Sequence, residues 1–306
     1  MMKTVMSLLL ALSSVAAQES REGLSQRLRD RYGAPVAETF LVQGGVLIEA
    51  QYSEGALACS LQIEPEPQDE RRVLPLDLAQ RLLDEFVPAA QQQRPSQAGG
   101  LTSGPCGGIG WKSYPLVTVS RSSRCDAGEA RLQRLDIQYK TQHCQALWQA
   151  DKGAPRTAVE PAQPDEEIPQ WARWTPKDFR ALYGPPLEQS FAVSQNAVLT
   201  TRLGSDGEPC RMLIERPTFS RSALVPQAAE KILAGLPPLA DAGPPLESTS
   251  VDLYACVRRE RADYPEFSVE VEHSSCISSG GLGVTRIEVD FVSDHCSAES
   301  DHPGIE

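Results

Sequence analysis

The sequence lacks the short motifs on which many enzymes are built. It contains no HExxH, CxxC or GxSxG motif and no phosphate-binding P-loop. A glycine-rich run spans residues 104–110, but no Lys-Ser or Lys-Thr follows it, so a disulfide-anchored loop is the better interpretation. We therefore expect no metal and no cofactor, and the absence of a catalytic constellation favours a protein that is not an enzyme.

Positive charge and long apolar runs are also scarce. The chain has 29 Lys and Arg residues against 41 Asp and Glu residues, which gives a net charge of −12 at pH 7. This balance argues against nucleic acid and anionic membrane surfaces as partners. After the N-terminus, no apolar run approaches the roughly 20 residues that a membrane-spanning helix needs. We therefore expect no membrane insertion.

The N-terminus has the pattern of a signal peptide over residues 1–17. Lys3 supplies the positive charge, Met6 to Leu12 form the apolar stretch, and Ala17 ends a small-residue cleavage site. Asparagine is almost absent, because Asn196 is the only one, and its context is not a glycosylation acceptor. These features predict a secreted or periplasmic protein after removal of the signal peptide.

What the chain does contain is one long segment that occurs twice. Landmark residues recur at an offset of about 151 positions, and an internal repeat decides the architecture before other signals do. The clearest matched pairs are Tyr32/Tyr183, Cys59/Cys210, Glu64/Glu215, Cys106/Cys256, Tyr114/Tyr264, Cys125/Cys276 and Cys144/Cys296. The repeat predicts a first domain over 18–148 and a second over 173–300. A Pro/Glu-rich linker would cover 149–172 and a tail 301–306.

Apolar periodicity within each repeat predicts a helix, two or three strands, a second helix and a hairpin. One helix start is particularly clear, because Thr175, Pro176 and Asp178 fit an N-cap, a first helical position and an acidic first turn. The segments 89–110 and 237–252 are rich in glycine and proline, which predicts loops. We therefore expect an α+β fold of two tandem domains. Each would be a mostly antiparallel sheet with two helices on one face, held by disulfides.

Eight cysteines after a signal peptide predict disulfide bonds, four cysteines to each repeat. Cys125 lies at the turn of the predicted hairpin and Cys144 lies beyond its open end, too far apart for the roughly 7 Å that bonded Cα atoms allow. Cys106 precedes the hairpin, which we expect to place it near the open end. The predicted pairs are Cys106–Cys144 and Cys59–Cys125, with Cys256–Cys296 and Cys210–Cys276 as their equivalents.

Two matched pairs of polar residues are candidates for contact with a ligand. His143 and His295 each precede the last cysteine of their repeat, where an imidazole could bind a ligand or respond to pH. Glu64 and Glu215 each follow a predicted strand, and paired carboxylates can act as general acid and base. Structural roles are the simpler interpretation of both pairs: a backbone hydrogen bond for the histidines and a solvated strand end for the glutamates.

The four tryptophans are Trp111, Trp148, Trp171 and Trp174. An exposed tryptophan in an exported protein can stack on sugars or anchor a partner. We expect Trp171 and Trp174 to pack the linker against the second domain.

These features together favour an exported, non-catalytic binding or protein-interaction protein built from a duplicated, disulfide-bonded domain. Its partner would be an unknown protein or an extracellular polymer. The alternative is an extracellular or periplasmic hydrolase that uses carboxylate or histidine residues in the cleft between the domains. Because almost every matched position has a structural role, we expect any activity to lie where the two copies differ.

Overall fold

The structure is a computed structural model. It describes residues 23–42, 44–53, 57–67, 73–102, 106–141, 143–144, 168–194, 197–215, 224, 226–236, 239, 242–254, 256–275, 283–292 and 296. The predicted signal peptide, most of the predicted linker and the predicted tail lie outside these residues. So do His295, Cys276 and Trp148.

The helices in the described part of the chain are short. They are α1 (Leu24–Tyr32), α2 (Leu76–Phe86), α3 (Ala89–Gln92), α4 (Pro176–Tyr183) and α5 (Pro226–Leu233). The start of α4 confirms the predicted cap. Thr175 Oγ1 accepts a hydrogen bond from the N–H of Asp178, and the Asp178 carboxylate accepts one from the N–H of Thr175 at 2.8 Å. A single 3₁₀ turn covers Gln170–Ala172.

Strands make up most of the fold. From the first repeat come β1 (Ala37–Val42), β2 (Val46–Tyr52), β3 (Ala58–Pro65), β4 (Gln97–Thr102), β5 (Gly108–Ser113), β6 (Val117–Asp126) and β7 (Glu129–Tyr139). From the second come β8 (Glu188–Ser194), β9 (Ala197–Leu203), β10 (Pro209–Glu215), β11 (Glu247–Tyr254), β12 (Val257–Asp263), β13 (Phe267–Ser274) and β14 (Gly283–Phe291).

The predicted α+β class, with two helices on one face of each domain, is wrong. The protein is mostly antiparallel sheet, with 51% strand against 22% helix and 14 strands among the described residues. The error has a clear source. The segments 89–110 and 237–252, predicted as loops from their glycine and proline, contain β4, most of β11 and the start of β5. Glycine is disfavoured inside strands, but it is tolerated where another backbone or a ring approaches closely.

The chain forms two compact units. The first-sheet unit is Val36–Leu187, and the second-sheet unit combines Met1–Pro35 with Glu188–Glu306. The strand order is β1-β2-β3-β7-β6-β5-β4 in the first and β8-β9-β10-β14-β13-β12-β11 in the second. The two orders are the same, so the sequence repeat is also a repeat of topology. β4 and β11 are the terminal strands.

Each unit has its own core on one face of its sheet. In the first-sheet unit, Leu82 and Phe86 of α2 are buried against inward-facing strand residues such as Ile48 and Ile63. In the second-sheet unit, Ile214 and Val289 contribute to the core under α5. The inward residues alternate with partly exposed ones along β2 and β9, as expected for strands with one wet face.

The first helix of each repeat packs on the sheet of the other repeat. Leu24 and Leu28 of α1 belong to the core of the second-sheet unit, and the Glu208 carboxylate accepts hydrogen bonds from the N–H groups of Gly23 and Ser25. Conversely, Phe179 of α4 is fully buried in the first-sheet unit. The compact units therefore do not coincide with the sequence repeats.

Phe179 is the centre of an aromatic cluster in the first-sheet unit. Its ring centroid lies 5.6 Å from that of Phe40, 5.8 Å from Phe86 and 5.7 Å from Trp174. Trp171 lies 6.3 Å from Tyr139 of β7. The prediction that Trp171 and Trp174 pack against the second domain is therefore wrong, because both contact the core of the first sheet.

The predicted disulfide pairing is also wrong. The bonds are Cys59–Cys144, Cys106–Cys125 and Cys210–Cys296, and no cysteine in the described residues is free. These bonds exclude both predicted pairs of the first repeat, together with Cys210–Cys276 and Cys256–Cys296. Such bonds fit a protein outside the cytoplasm.

The missed strand β4 explains the error in pairing. β4 and β5 form a hairpin, so Cys106 lies beside its turn. β5 then runs antiparallel to β6 with Gly108 opposite Ser123, which brings Cys106 to the same end of the sheet as Cys125. Cys59 begins the part of β3 that pairs with the end of β7, close to Cys144. The observed bonds exclude a Cys125–Cys144 pair, as expected, whereas the expected place of Cys106 is wrong.

Candidate functional site

The structure places Glu64 and Glu215 in different units. Glu64 is half-buried on β3, and its carboxylate accepts a hydrogen bond from Nε2 of Gln62 at 3.0 Å. Glu215 is exposed at the end of β10, opposite Arg286 of β14 in the register. Neither glutamate lies beside the other within a unit. Their catalytic role in the alternative hydrolase hypothesis stays a prediction.

His143 lies against the buried Cys59–Cys144 disulfide. Its Nε2 is 3.2 Å from Oγ1 of Thr141, and its Nδ1 is buried without a hydrogen-bond partner among the described residues. Burial lowers the pKa of His143 below its ordinary value, since the charged imidazolium loses hydration there.

The ligand atoms of Cys59, His143 and Cys144 lie within 4.8 Å of one another. Both sulfur atoms are bonded to each other, however, and the sulfur ligand that zinc takes is the thiolate. In its oxidised form this group is a packed disulfide with a neighbouring histidine.

The site that sequence reasoning missed is a cavity of about 560 Å³ in the second-sheet unit. It lies between the end of α5, the terminal strand β11 and its neighbour β12. Apolar side chains from the helix end, the turn after it and β13 line one part of the cavity: Leu233, Leu239, Tyr264, Val269 and Val271. Hydroxyl and charged groups line the other: Ser248, Thr249, Ser250, Glu260 and Arg261. Its volume is typical of ligand sites.

The cavity is lined in part by β11, the terminal strand among the described residues. Three consecutive residues of this strand line it, although neighbouring side chains of a strand point to opposite faces. A cavity that touches all three therefore also reaches the backbone at the edge. All eight residues of β11 are exposed.

The backbone hydrogen bonds show which groups face outward. The N–H of Leu246 donates to the carbonyl of Asp263, and the N–H of Tyr264 donates to the carbonyl of Phe267. The backbone of Asp263 therefore faces β11, where Glu247 is its register partner. Antiparallel strands alternate between bonded and non-bonded pairs. The N–H and C=O groups of Ser248 and Ser250 consequently point away from β12, towards the open edge.

A polar cluster lies at one end of the cavity, around Glu260. Oγ of Ser250 accepts a hydrogen bond from Nε of Arg258 at 2.8 Å. The same Nε is 3.3 Å from one oxygen of Glu260, and the other oxygen is 3.6 Å from Nε2 of His273. The cluster fixes the rim of the cavity by ion pairing. Since the hydroxyl of Ser250 contacts Arg258 rather than His273, the arrangement does not activate a serine nucleophile.

The first repeat has none of these polar side chains at the matching positions. At an offset of 150 residues, Ser250, Arg258, Glu260 and His273 correspond to Gly100, Gly108, Gly110 and Ser123. The pairing of Arg258 with His273 and of Gly108 with Ser123 confirms the match. These residues therefore lie at positions where the two copies differ, as expected for any activity, whereas the candidates named from the sequence are residues that match between the copies.

The chain matches no family model, and a search of the curated proteins found no match. Among the described residues, no helix has both the length and the apolar character needed to cross a membrane.

Proposed function

We propose that this is an exported binding protein that captures an extended segment of a partner protein by strand addition to β11. The observation that carries the proposal is the cavity between α5 and the edge of β11. Strand addition needs an open edge for backbone hydrogen bonds and pockets for alternate side chains.

The edge supplies the backbone part of such a contact. The outward N–H and C=O groups of Ser248 and Ser250 can pair with an added strand in the manner of the sheet itself. No bulky side chain shields them, because both residues are serine. Exposed edges of this kind are a risk of aggregation unless they are short, charged or covered, and β11 carries only Glu247 and Asp252 as charges.

The cavity supplies the side-chain part. Ser248 and Ser250 have their side chains on the face of the sheet that carries Val269 and Val271, as the register through Ala262 and Glu260 shows. Side chains of an added strand that point to this face would enter the cavity and meet Leu233 and Leu239. The partner segment should therefore carry apolar residues at alternate positions.

The experiment uses the full mature chain and a phage-displayed library of random peptides as the probe. Selected peptides are synthesised and titrated by fluorescence anisotropy. Ser250→Pro removes an outward N–H that bonds to no strand in the described part of the chain, and Ala262→Phe fills the cavity without changing the backbone groups of β11. Ser250→Pro should weaken binding about fivefold, since a net hydrogen bond contributes about 1 kcal/mol. Ala262→Phe should weaken it about tenfold or more, since a buried apolar side chain contributes about 1.5–3 kcal/mol.

Two matched controls accompany these variants. Ser250→Ala keeps the backbone N–H and should change affinity less than about threefold, because only an exposed hydroxyl is lost. Gly100→Pro places the same ring at the matching site on β4 and should leave peptide binding unchanged. Failure to enrich any peptide, or unaltered binding by both Ser250→Pro and Ala262→Phe, would overturn the proposal.

A further inference from the structure

The outer face of the first sheet, opposite its core, carries an unusual set of side chains. The register lines up Trp111, Ser120, Asp136, Gln62 and Glu49 across β5, β6, β7, β3 and β2. The neighbouring line runs through Ser113, Thr118, Gln138, Ser60 and Gln51. We call these two lines the glutamine–serine face. With strands about 4.8 Å apart, it extends roughly 19 Å across the five strands.

Trp111 is held flat at one end of this face by a glycine. Its register partner on β4 is Gly99, and a Cβ atom built there would lie 2.6 Å from Cζ2 of the indole. Any larger residue would push the ring away from the sheet, since real Cβ contacts are never that close. The glycine therefore lets the indole lie across the backbone of β4, with the ring only partly buried.

The charges on the glutamine–serine face are engaged within it. The carboxylate of Glu49 accepts a hydrogen bond from Gln51 at 3.0 Å, and that of Asp136 pairs with Nε of Arg134 at 2.6 Å. Burial raises the pKa of Asp136 above its ordinary value. The groups left to meet a ligand are amides, hydroxyls, one aromatic ring and the ammonium of Lys140, which donates to Oγ of Ser113.

The same face of the second sheet has different chemistry. At matching positions it carries Arg261, Glu270, Glu288 and Asp290 where the first sheet has Trp111, Ser120, Asp136 and Gln138. Salt bridges such as Arg259–Glu270 at 3.0 Å and Arg286–Glu288 at 2.6 Å cover it. Neutral hydrogen-bonding chemistry is thus specific to the first sheet.

We propose that the glutamine–serine face binds a neutral polysaccharide, with Trp111 stacking on one sugar ring. Sugars present apolar ring faces edged with hydroxyls. A tryptophan offers a complementary apolar surface, and amide and hydroxyl side chains donate to and accept from sugar hydroxyls. A peptide would have its own backbone groups to satisfy, and a sheet face, unlike an edge, offers no backbone partners. An acidic polymer would meet the carboxylates of Glu49, Glu64 and Asp136, which outnumber the cations Arg134 and Lys140 on this face.

The test is affinity electrophoresis of the full mature chain in native gels. The probes are four soluble neutral polysaccharides (hydroxyethylcellulose, xyloglucan, laminarin and dextran) and one acidic polysaccharide, alginate. We expect retardation by at least one neutral polymer and none by alginate. Trp111→Ala should weaken the interaction at least tenfold, whereas Trp111→Phe should retain part of it.

Two further variants guard against a loss caused by misfolding. Gln62→Ala combined with Gln138→Ala leaves Trp111 in place and should weaken retardation several-fold. Arg261→Ala changes the matching position on the second sheet and should leave retardation unchanged. Retardation only by alginate, none by any neutral polymer, or retardation that Trp111→Ala does not reduce would each overturn the proposal. Because this face and the edge of β11 lie in separate units, either proposal can fail without the other.

Discussion

The two sheets of this protein share strand order, but their outer faces differ in side-chain chemistry. The outer face of the second sheet is covered by arginine–carboxylate pairs, among them Arg259 with Glu270 and Glu272. The outer face of the first sheet carries glutamine, serine and threonine. On the opposite, inner face of each sheet, buried residues alternate along the strands in the same way to form the core. The duplication therefore kept the scaffold and left the two surfaces with different chemistry.

The contrast is clearest in the hairpins β4–β5 and β11–β12, which end the two strand orders. β4 and β5 contain Gly99, Gly100, Gly108 and Gly110, and a Cβ at Gly108 would lie 2.4 Å from the carbonyl oxygen of Leu101. β11 and β12 carry threonine, serine, arginine and glutamate at the same positions. The glycines permit close backbone contact between β4 and β5, whereas side chains of β11 and β12 line a cavity. Both hairpins end in an exposed strand, but only the second has a pocket beside it among the described residues.

The largest expected effect is a loss of stability when α1 or α4 loses its contact with the sheet of the other repeat. Phe179→Ala should destabilise the first-sheet unit by about 3–5 kcal/mol, because it removes the centre of the aromatic cluster. Leu28→Ala should destabilise the second-sheet unit by about 2–5 kcal/mol. Hydrogen exchange followed by peptide mass spectrometry reports each unit separately. Faster exchange within the variant's own sequence repeat, rather than in the unit that its helix covers, would contradict the assignment.

A smaller difference should separate the two disulfides of the first sheet. Cys59–Cys144 closes a loop of 85 residues in sequence, and Cys106–Cys125 closes one of 19. Chain entropy makes the longer loop worth about 1.3 kcal/mol more. Replacing Cys59 and Cys144 by alanine should therefore lower the midpoint of urea unfolding more than replacing Cys106 and Cys125. Equal midpoints would show that loop entropy does not govern these bonds.

The smallest expected effect is a pH dependence that belongs to the first sheet. Burial lowers the pKa of His143 in the folded protein, whereas an unfolded histidine titrates at about 6.5. As the pH falls through that value, the unfolded chain binds a proton that the folded chain does not, so the free energy of unfolding decreases. His143→Asn removes this term. The difference in stability between wild type and variant should change between pH 7.5 and pH 5.5, and parallel curves would exclude the mechanism.

Local sequence signals were sufficient where residues close together in sequence determine the structure. Thr175, Pro176 and Asp178 identify the start of α4, because capping involves residues only three positions apart. The alternation in β6 and β7 likewise indicates a hairpin with one buried face. These features depend on short-range contacts that the sequence displays directly.

Long-range partners could not be read in this way. The apolar face of α1 shows that Leu24 and Leu28 are buried, but not which sheet buries them. The glycines of β4 and β5 argued for a loop, although they permit the close packing of Trp111 over Gly99. Because β4 was not predicted, Cys106 was expected at the wrong end of the hairpin, and the predicted disulfide pairing was wrong as a result. The candidate cavity was missed because its residues are unmatched between repeats.

The exchange of helices also bears on how such a chain could arise. A single copy of the repeat, with its first helix packed on the other copy's sheet, would leave part of its own core uncovered. It could complete that core by taking the helix of a second molecule, as domain-swapped dimers do. Joining two copies in one chain makes this assembly independent of concentration. It also allows the surface of each half to change independently, because the two halves of one chain need not be identical as the subunits of a homodimer are.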